Sequence, residues 1–266
     1  MIIDTHCHLD DIQFKDDVDW VIQNAYENGV QGIIIPGANS DDLSHAQELS
    51  HRYDHIFFAA GIHPYHHEQY NEKILRSFLK DEKCIAVGEC GLDYFRLPED
   101  DYEKELEKQQ QQHIFSQQIA LARELKKPLI VHIRDANDDS KRLLLEGKAG
   151  EIGGVLHCYN ASKHLLDLAQ HGFYFGIGGV LTFKNAKNLV EVLPLIPRDK
   201  LLIETDAPYL TPMPHRGKRN EPLYTLLVVE KMSELLNISV TELHNLTSKN
   251  AFTLFKALEK IKLATI

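Results

Sequence analysis

Met1-Ile2-Ile3-Asp4-Thr5-His6-Cys7-His8 opens the chain as a short apolar run that ends in two histidines. Side chains alternate along an extended segment, so His6 and His8 leave it on one face while Thr5 and Cys7 leave on the other. Two imidazoles then converge on one point, as a metal that favours nitrogen ligands requires, and Ile2 and Ile3 upstream anchor the strand in a core. In a chain with 15 histidines a bare His-x-His carries little weight by itself. Its weight depends on whether later segments are built the same way.

They are. Apolar runs at 32–37, 56–64, 85–89, 128–132, 154–157, 173–177 and 201–206 have the continuous hydrophobicity of strands buried on both faces, as in a parallel sheet covered by helices. Helical spacing fills the intervals at 16–28, 41–53, 74–79, 102–125, 140–145, 162–171 and 185–193, and two amphipathic helices at 222–236 and 241–258 close the chain. Eight strand-helix units predict an α/β fold, a TIM-type (β/α)8 barrel made by residues 1–266 as a single domain. An open doubly wound sheet is the alternative. The polar residues favour the barrel. His8, His63, Glu89, His132, His157 and Asp206 each end an apolar run, and a barrel gathers strand C-termini on one rim, where enzymes of this architecture carry their sites.

Composition narrows the classes. A 266-residue chain that is 43% hydrophobic can bury a large core, and no apolar run is long enough to span a bilayer. The N-terminus lacks the order of a signal peptide, so a cytoplasmic protein is expected. Cys7, Cys84, Cys90 and Cys158 form no C-x-x-C pair and are expected to be reduced and buried, with Cys90 and Cys158 in the layer between barrel and helices. A net charge of -10 disfavours a broad track for a long nucleic acid but leaves room for a local basic rim.

The rim residues set the chemistry. His6, His8, His132, His157, Glu89 and Asp206 supply four imidazoles and two carboxylates, too many for one tetrahedral ion with an open position and enough for two ions. Glu89, flanked by Gly88 and Gly91, is the candidate bridge; His6, His8 and Asp206 would complete one ion, His132 and His157 the other. Two such metals acidify a water and clamp both oxygens of a phosphoryl displacement, and Asp206 can double as the proton acceptor. Glu89 and Asp206 are thus the expected catalytic residues. The ligand types suit zinc, manganese, magnesium or nickel.

His6-Cys7-His8-Leu9-Asp10, Gly61-Ile62-His63-Pro64, Gly88-Glu89-Cys90-Gly91-Leu92-Asp93-Tyr94, His132-Ile133-Arg134-Asp135-Ala136, Glu204-Thr205-Asp206-Ala207-Pro208-Tyr209-Leu210 and Arg216-Gly217-Lys218-Arg219-Asn220-Glu221-Pro222 together resemble the TatD family of metal-dependent deoxyribonucleases in the amidohydrolase superfamily. The resemblance runs from Asp4 to Phe255, and the block from Glu204 to Pro222 is its most specific part. It implies a barrel, a divalent-metal site at the matching residues, and hydrolysis of phosphodiester bonds in DNA, often from the 3′ end. Glu89 stands where other branches of the superfamily place a carboxylated lysine. After His157-Cys158 the chain has Tyr159-Asn160-Ala161, where the family usually has Phe and a small hydroxyl residue followed by Gly.

Around the metals, His63 and Arg134 are expected to contact phosphate, and Arg216, Lys218 and Arg219 to form a basic cluster for a backbone phosphate. Asp93 is expected either behind a ligand or against substrate, Tyr65, Tyr94, Phe95 and Tyr209 are candidate base-stacking rings, and His66 and His67 are expected on the surface. The basic cluster favours a phosphate-bearing substrate. Two other classes fit the same residues: an amidohydrolase acting on another bond, such as deacylation of mischarged aminoacyl-tRNA or hydrolysis of a small amide or phosphoester, and a weakly catalytic binder of nucleic acid or protein. DNA or another phosphodiester is the expected partner, with no membrane and no obligate protein partner.

Overall fold

The computed structural model describes residues 1–261. Eight strands, β1 (Ile2–Asp4), β2 (Val30–Ile35), β3 (Ile56–Ala60), β4 (Cys84–Asp93), β5 (Leu129–Arg134), β6 (Gly154–Leu156), β7 (Phe173–Ile177) and β8 (Leu201–Ile203), pair in parallel in the order of the sequence. A doubly wound sheet would reverse its order at a switch point, and this one does not. The seam is closed by backbone hydrogen bonds from Thr5 to Ile203 (3.1 Å), Asp206 to His6 (2.9 Å) and His8 to Ala207 (2.7 Å). The result is a nearly closed (β/α)8 barrel.

Helices α1 (Val18–Glu27), α2 (Leu43–Arg52), α3 (Glu72–Leu79), α4 (Asp101–Leu125), α5 (Asn137–Glu146), α6 (Lys187–Val192), α7 (Thr225–Leu236) and α8 (Val240–Leu254) flank it. Between β6 and β7 the expected helix is a 3-10 helix, Lys163–His171, whose buried Leu165 and Leu168 are three apart, the period of that geometry. No helix among the described residues is long and apolar enough to cross a membrane.

One end of the barrel is plugged. Ile3, Ile34, Phe57, Ile85, Ile130, Val155, Tyr174 and Leu202, one from each strand, pack in one cluster with Ala251, Leu254, Phe255 and Leu258 of the C-terminal helical segment. The opposite end, where the strands finish, stays available for a site. The Gln-rich helix α4 is explained at that end. Gln118 spans the backbone of Ile62 with hydrogen bonds of 2.8 and 3.0 Å, and Gln111 accepts the Asp93 amide at 2.9 Å. Both glutamines are buried, and they satisfy backbone at the last residue of β4 and just beyond the end of β3.

Away from the rim, His55 predicts an acid sensitivity. Its ring lies 4.4 Å from Tyr26, its Nε2 is buried without a partner, and burial followed by the Lys83 charge lowers it from 6.5 to about 4. Between those pH values the unfolded chain binds the proton and the folded one does not, so stability falls as pH falls through the window. His55→Phe is expected to flatten the loss of Tm from pH 6.5 to 4; an unchanged slope would remove His55 from the account.

Candidate metal centre

Local backbone geometry brings the carboxylates inward. Strand β4 slips register against β5 between Val87 and Cys90, a bulge of the kind that re-aims a side chain, and Glu89 sits within it. Gly88 has φ +152°, and a Cβ there would strike the backbone of Ile130. Asp206 follows β8 in the left-handed region, φ 57°, its amide held by His6 O. Asp4, fully buried, accepts from Thr205 Oγ1 (2.6 Å), Thr205 N (3.0 Å) and His6 N (3.2 Å), locking the two segments that present His6 and Asp206. Burial pushes the Asp4 carboxyl up to about 7, against these hydrogen bonds. Asn220, also buried, donates to Thr205 O and Tyr209 O and so pins the loop after β8, which gives a structural reason for the Arg216–Pro222 motif.

The six expected ligands converge on the rim. His6 Nε2 and His8 Nε2 are 3.2 Å apart; Glu89 Oε2 lies 3.4 and 3.7 Å from them, and Asp206 Oδ1 lies 3.6 Å from each. A tetrahedron of donors about 2.1 Å from a central ion has edges of about 3.4 Å, so His6, His8 and Asp206 are spaced to share a zinc-sized cation, with Glu89 against the two imidazoles. The other oxygen of Glu89 serves a second group. Oε1 is 2.9 Å from His132 Nδ1 and 2.8 Å from His157 Nε2, which are 3.2 Å from each other. One carboxylate therefore faces two donor sets, one through each oxygen.

Electrostatics agree with a cation-binding role. Burial alone would raise the Glu89 carboxyl, but the imidazoles of His157, His6, His63 and His132 hold it well below its usual range. Asp206 is likewise lowered, against burial, by His8, His6 and His157. Burial, then the His157 charge, lowers His6 to about 4, leaving it neutral as a ligand must be. His8 and His132 are raised to about 9, against burial, by their carboxylate neighbours.

Two carboxylates stand behind the ligands. Asp93 Oδ2 is 2.9 Å from His132 Nε2 and fixes which nitrogen faces Glu89; its Oδ1 accepts from Phe95 N. Asp93→Asn is expected to weaken metal binding at the His132 position about 10- to 100-fold. Titration of the stripped protein with manganese would read it; wild-type affinity would show that Asp93 does not orient the ring. Glu204 is the residue that sequence reasoning left without a role. It is fully buried, its Oε1 accepts the Cys158 amide at 2.5 Å and lies 3.8 Å from His157 Nδ1, and burial pushes it up to about 8. Gly176 makes room for it, since a Cβ there would land on the carboxylate. No periodicity reveals this: the contact joins the ends of β6 and β8 across the space left by a glycine of β7.

The surrounding residues divide. His63 Nδ1 accepts from Tyr65 N (3.1 Å), and Nε2 lies 3.7 Å from Glu89 Oε1; burial lowers it to about 3, so a neutral ring turns an N–H toward the centre. Arg134 is exposed, its guanidinium 3.6 Å from the centre of the Phe95 ring, and it lines cavities on both sides of the candidate ligands. The side chains of the basic loop make different contacts. Arg216 packs over Phe183 and Lys218 is exposed, but Arg219 is bound to Asp17 (2.7 and 2.8 Å) and Glu221 (3.0 Å), fastening this loop to the segment after β1. His67 is not a surface residue, because it is half-buried against Glu107 at 3.1 Å. Tyr94 is tied to Gln112 and Asp139, and Tyr209 donates to Asp11 at 2.7 Å with its ring half-exposed. All four cysteines are free; Cys90 is buried in the barrel-helix layer, whereas Cys158 is half-buried and lines a cavity beside the centre.

Comparison with known proteins matches the chain to one family. The family described as TatD related DNase matches residues 3–256. The chain is 40% identical over 261 residues to the uncharacterized metal-dependent hydrolase YabD of Bacillus subtilis, covering 96% of this chain and 99% of that one. It is 34% identical over 268 residues to a Salmonella typhimurium protein named 3′-5′ ssDNA/RNA exonuclease TatD, covering 96% and 99%. Among solved structures, the TatD homolog YJJV of Escherichia coli K12 superposes with a TM-score of 0.86 at 29% identity, covering 96% and 98%.

Proposed function

This chain belongs to the TatD family of metal-dependent hydrolases, and on that premise we propose that it cleaves phosphodiester bonds in DNA as a 3′ to 5′ exonuclease. The observation that carries the reading is Glu89, whose two oxygens face separate donor sets. His6, His8, Asp206 and Glu89 would hold one divalent ion, and Glu89, His132 and His157 the other. Ions bound there supply Lewis acidity to the phosphodiester and lower the pKa of water.

The chain's own groups do the rest. Asp206, kept ionised by its imidazole neighbours, accepts the proton of the attacking water. Arg134 meets the phosphate with a fork of N–H donors, and stacking on Phe95 restricts that fork to the space above the ligands. His63 donates its Nε2–H to a phosphoryl oxygen. Arg216 and Lys218 would meet a phosphate farther along the strand, while Arg219 supports their loop. The names of the Salmonella relative and of an Escherichia fergusonii relative, both 3′-5′ ssDNA/RNA exonucleases, support the polarity and make single-stranded RNA the second substrate to test.

The test is nucleotide release from 5′-labelled and 3′-labelled single-stranded DNA, RNA and duplex DNA by stripped protein reconstituted with zinc, manganese, magnesium or nickel. The expected result is metal-dependent release of mononucleotides beginning at the 3′ end. Metal uptake without cleavage of any nucleic acid would keep the hydrolase and discard the nuclease.

A further inference from the structure

Over the ends of β5 to β8, beside the candidate ligands, lies a cavity of about 500 Å³ that none of the roles above employs beyond its edge. Its base reaches His157 and Asp206, and its walls are apolar, formed by Ile133, Tyr159, Val180, Ala186, Leu189 and Leu210. Asn185 and Asn188 stand on its lip, both exposed and with no hydrogen bond from their side chains among the described residues. Asn160, on the wall, differs. Its amide is held by Asn137 Oδ1 (2.8 Å) and Ser162 N (3.1 Å), so it stiffens the cavity instead of reaching into it.

The cavity on the other side of the centre, about 460 Å³, is of opposite character, lined by Asp10, Asp11, Asn39, Asp42, His66 and Arg96. A nucleobase is flat, apolar on its faces and polar along its edge. Apolar walls with two free amides at the mouth match that chemistry, because an amide presents a donor and an acceptor to a base edge. The polar cavity also holds the rings of Tyr65 and Tyr209, but sets them among Asp10, Asp11, Asp42 and Arg96 and not in a continuous apolar wall.

Resting on the nuclease reading, we propose that the apolar cavity takes the base of one nucleotide flanking the scissile phosphate, with Tyr159 and Leu189 against its faces and Asn185 and Asn188 at its edge. Recognition is then one-sided: one base next to the cleaved bond is gripped and the other is not.

The experiment uses reconstituted full-length protein and single-stranded DNA carrying one abasic tetrahydrofuran residue on either side of the scissile bond. Bis(p-nitrophenyl) phosphate serves as a phosphodiester without a base. The abasic residue is expected to lower kcat/KM about tenfold or more on one side and less than about threefold on the other, the scale of losing one base contact. Ala186→Phe, which fills the cavity, should abolish that asymmetry while leaving cleavage of the base-free ester in place. Asn185→Ala with Asn188→Ala, exposed positions that do not bear on folding, should reduce differences among the four bases. Cleavage of DNA with equal tolerance of both abasic positions, or an asymmetry unaffected by Ala186→Phe, would overturn the proposal and leave the nuclease standing. Cleavage of the small ester with no DNA cleaved at all would overturn both.

Discussion

Glu89→Gln is expected to lower the hydrolytic rate by at least about 10³-fold, the scale of losing several kcal/mol of cation-derived stabilisation. The substitution keeps the side chain's volume and removes its charge. Glu89 is nearly fully buried and within 3.7 Å of His6, His8, His63, His132 and His157, so its carboxylate reaches both donor sets. The variant should therefore bind fewer ions as well as turn over more slowly. Rates at saturating metal, with metal content measured on the same sample, check both effects. A variant with wild-type metal content and a rate within about tenfold of wild type would show that Glu89 is not the bridge.

Asp206→Asn is expected to cost about 10² to 10⁴-fold, the usual range for a positioned proton acceptor. Its carboxylate is held in the charged form by His8, His6 and His157, which suits it to accept a proton but also makes it a candidate ligand. The two roles separate with metal concentration. If Asp206 served only to bind an ion, excess metal would restore the rate; as proton acceptor it leaves a deficit that metal does not repair. Recovery to within about threefold of wild type at saturating metal would remove the catalytic role and keep the ligand.

Much of the architecture was legible because the chain repeats one construction. An apolar run ending in His, Glu or Asp has no packing reason to be polar at its end, and six such ends marked both the barrel and its rim. Helix and strand limits were less legible. β1, β6 and β8 are each three residues long, and His6, His157 and Asp206 lie just beyond them, in chain that bonds to neighbours outside the regular ladder. What periodicity could not show is any contact made across the sheet. Glu204 meets His157 and Cys158 only because strand β7 carries glycine between them, and the backbone partners of Gln111 and Gln118 lie in other elements. The basic loop is a related case: the pairing of Arg219 with Asp17 joins segments far apart in sequence, which charge patterning does not reveal.

The central claim is a pair of ions joined by Glu89, and crystals grown with manganese test it most directly through an anomalous difference map. The account predicts two peaks about 3.5 to 4 Å apart on either side of the Glu89 carboxylate, one among His6, His8 and Asp206 and one between His132 and His157. A single peak at full occupancy, or two peaks that do not share Glu89, would contradict it.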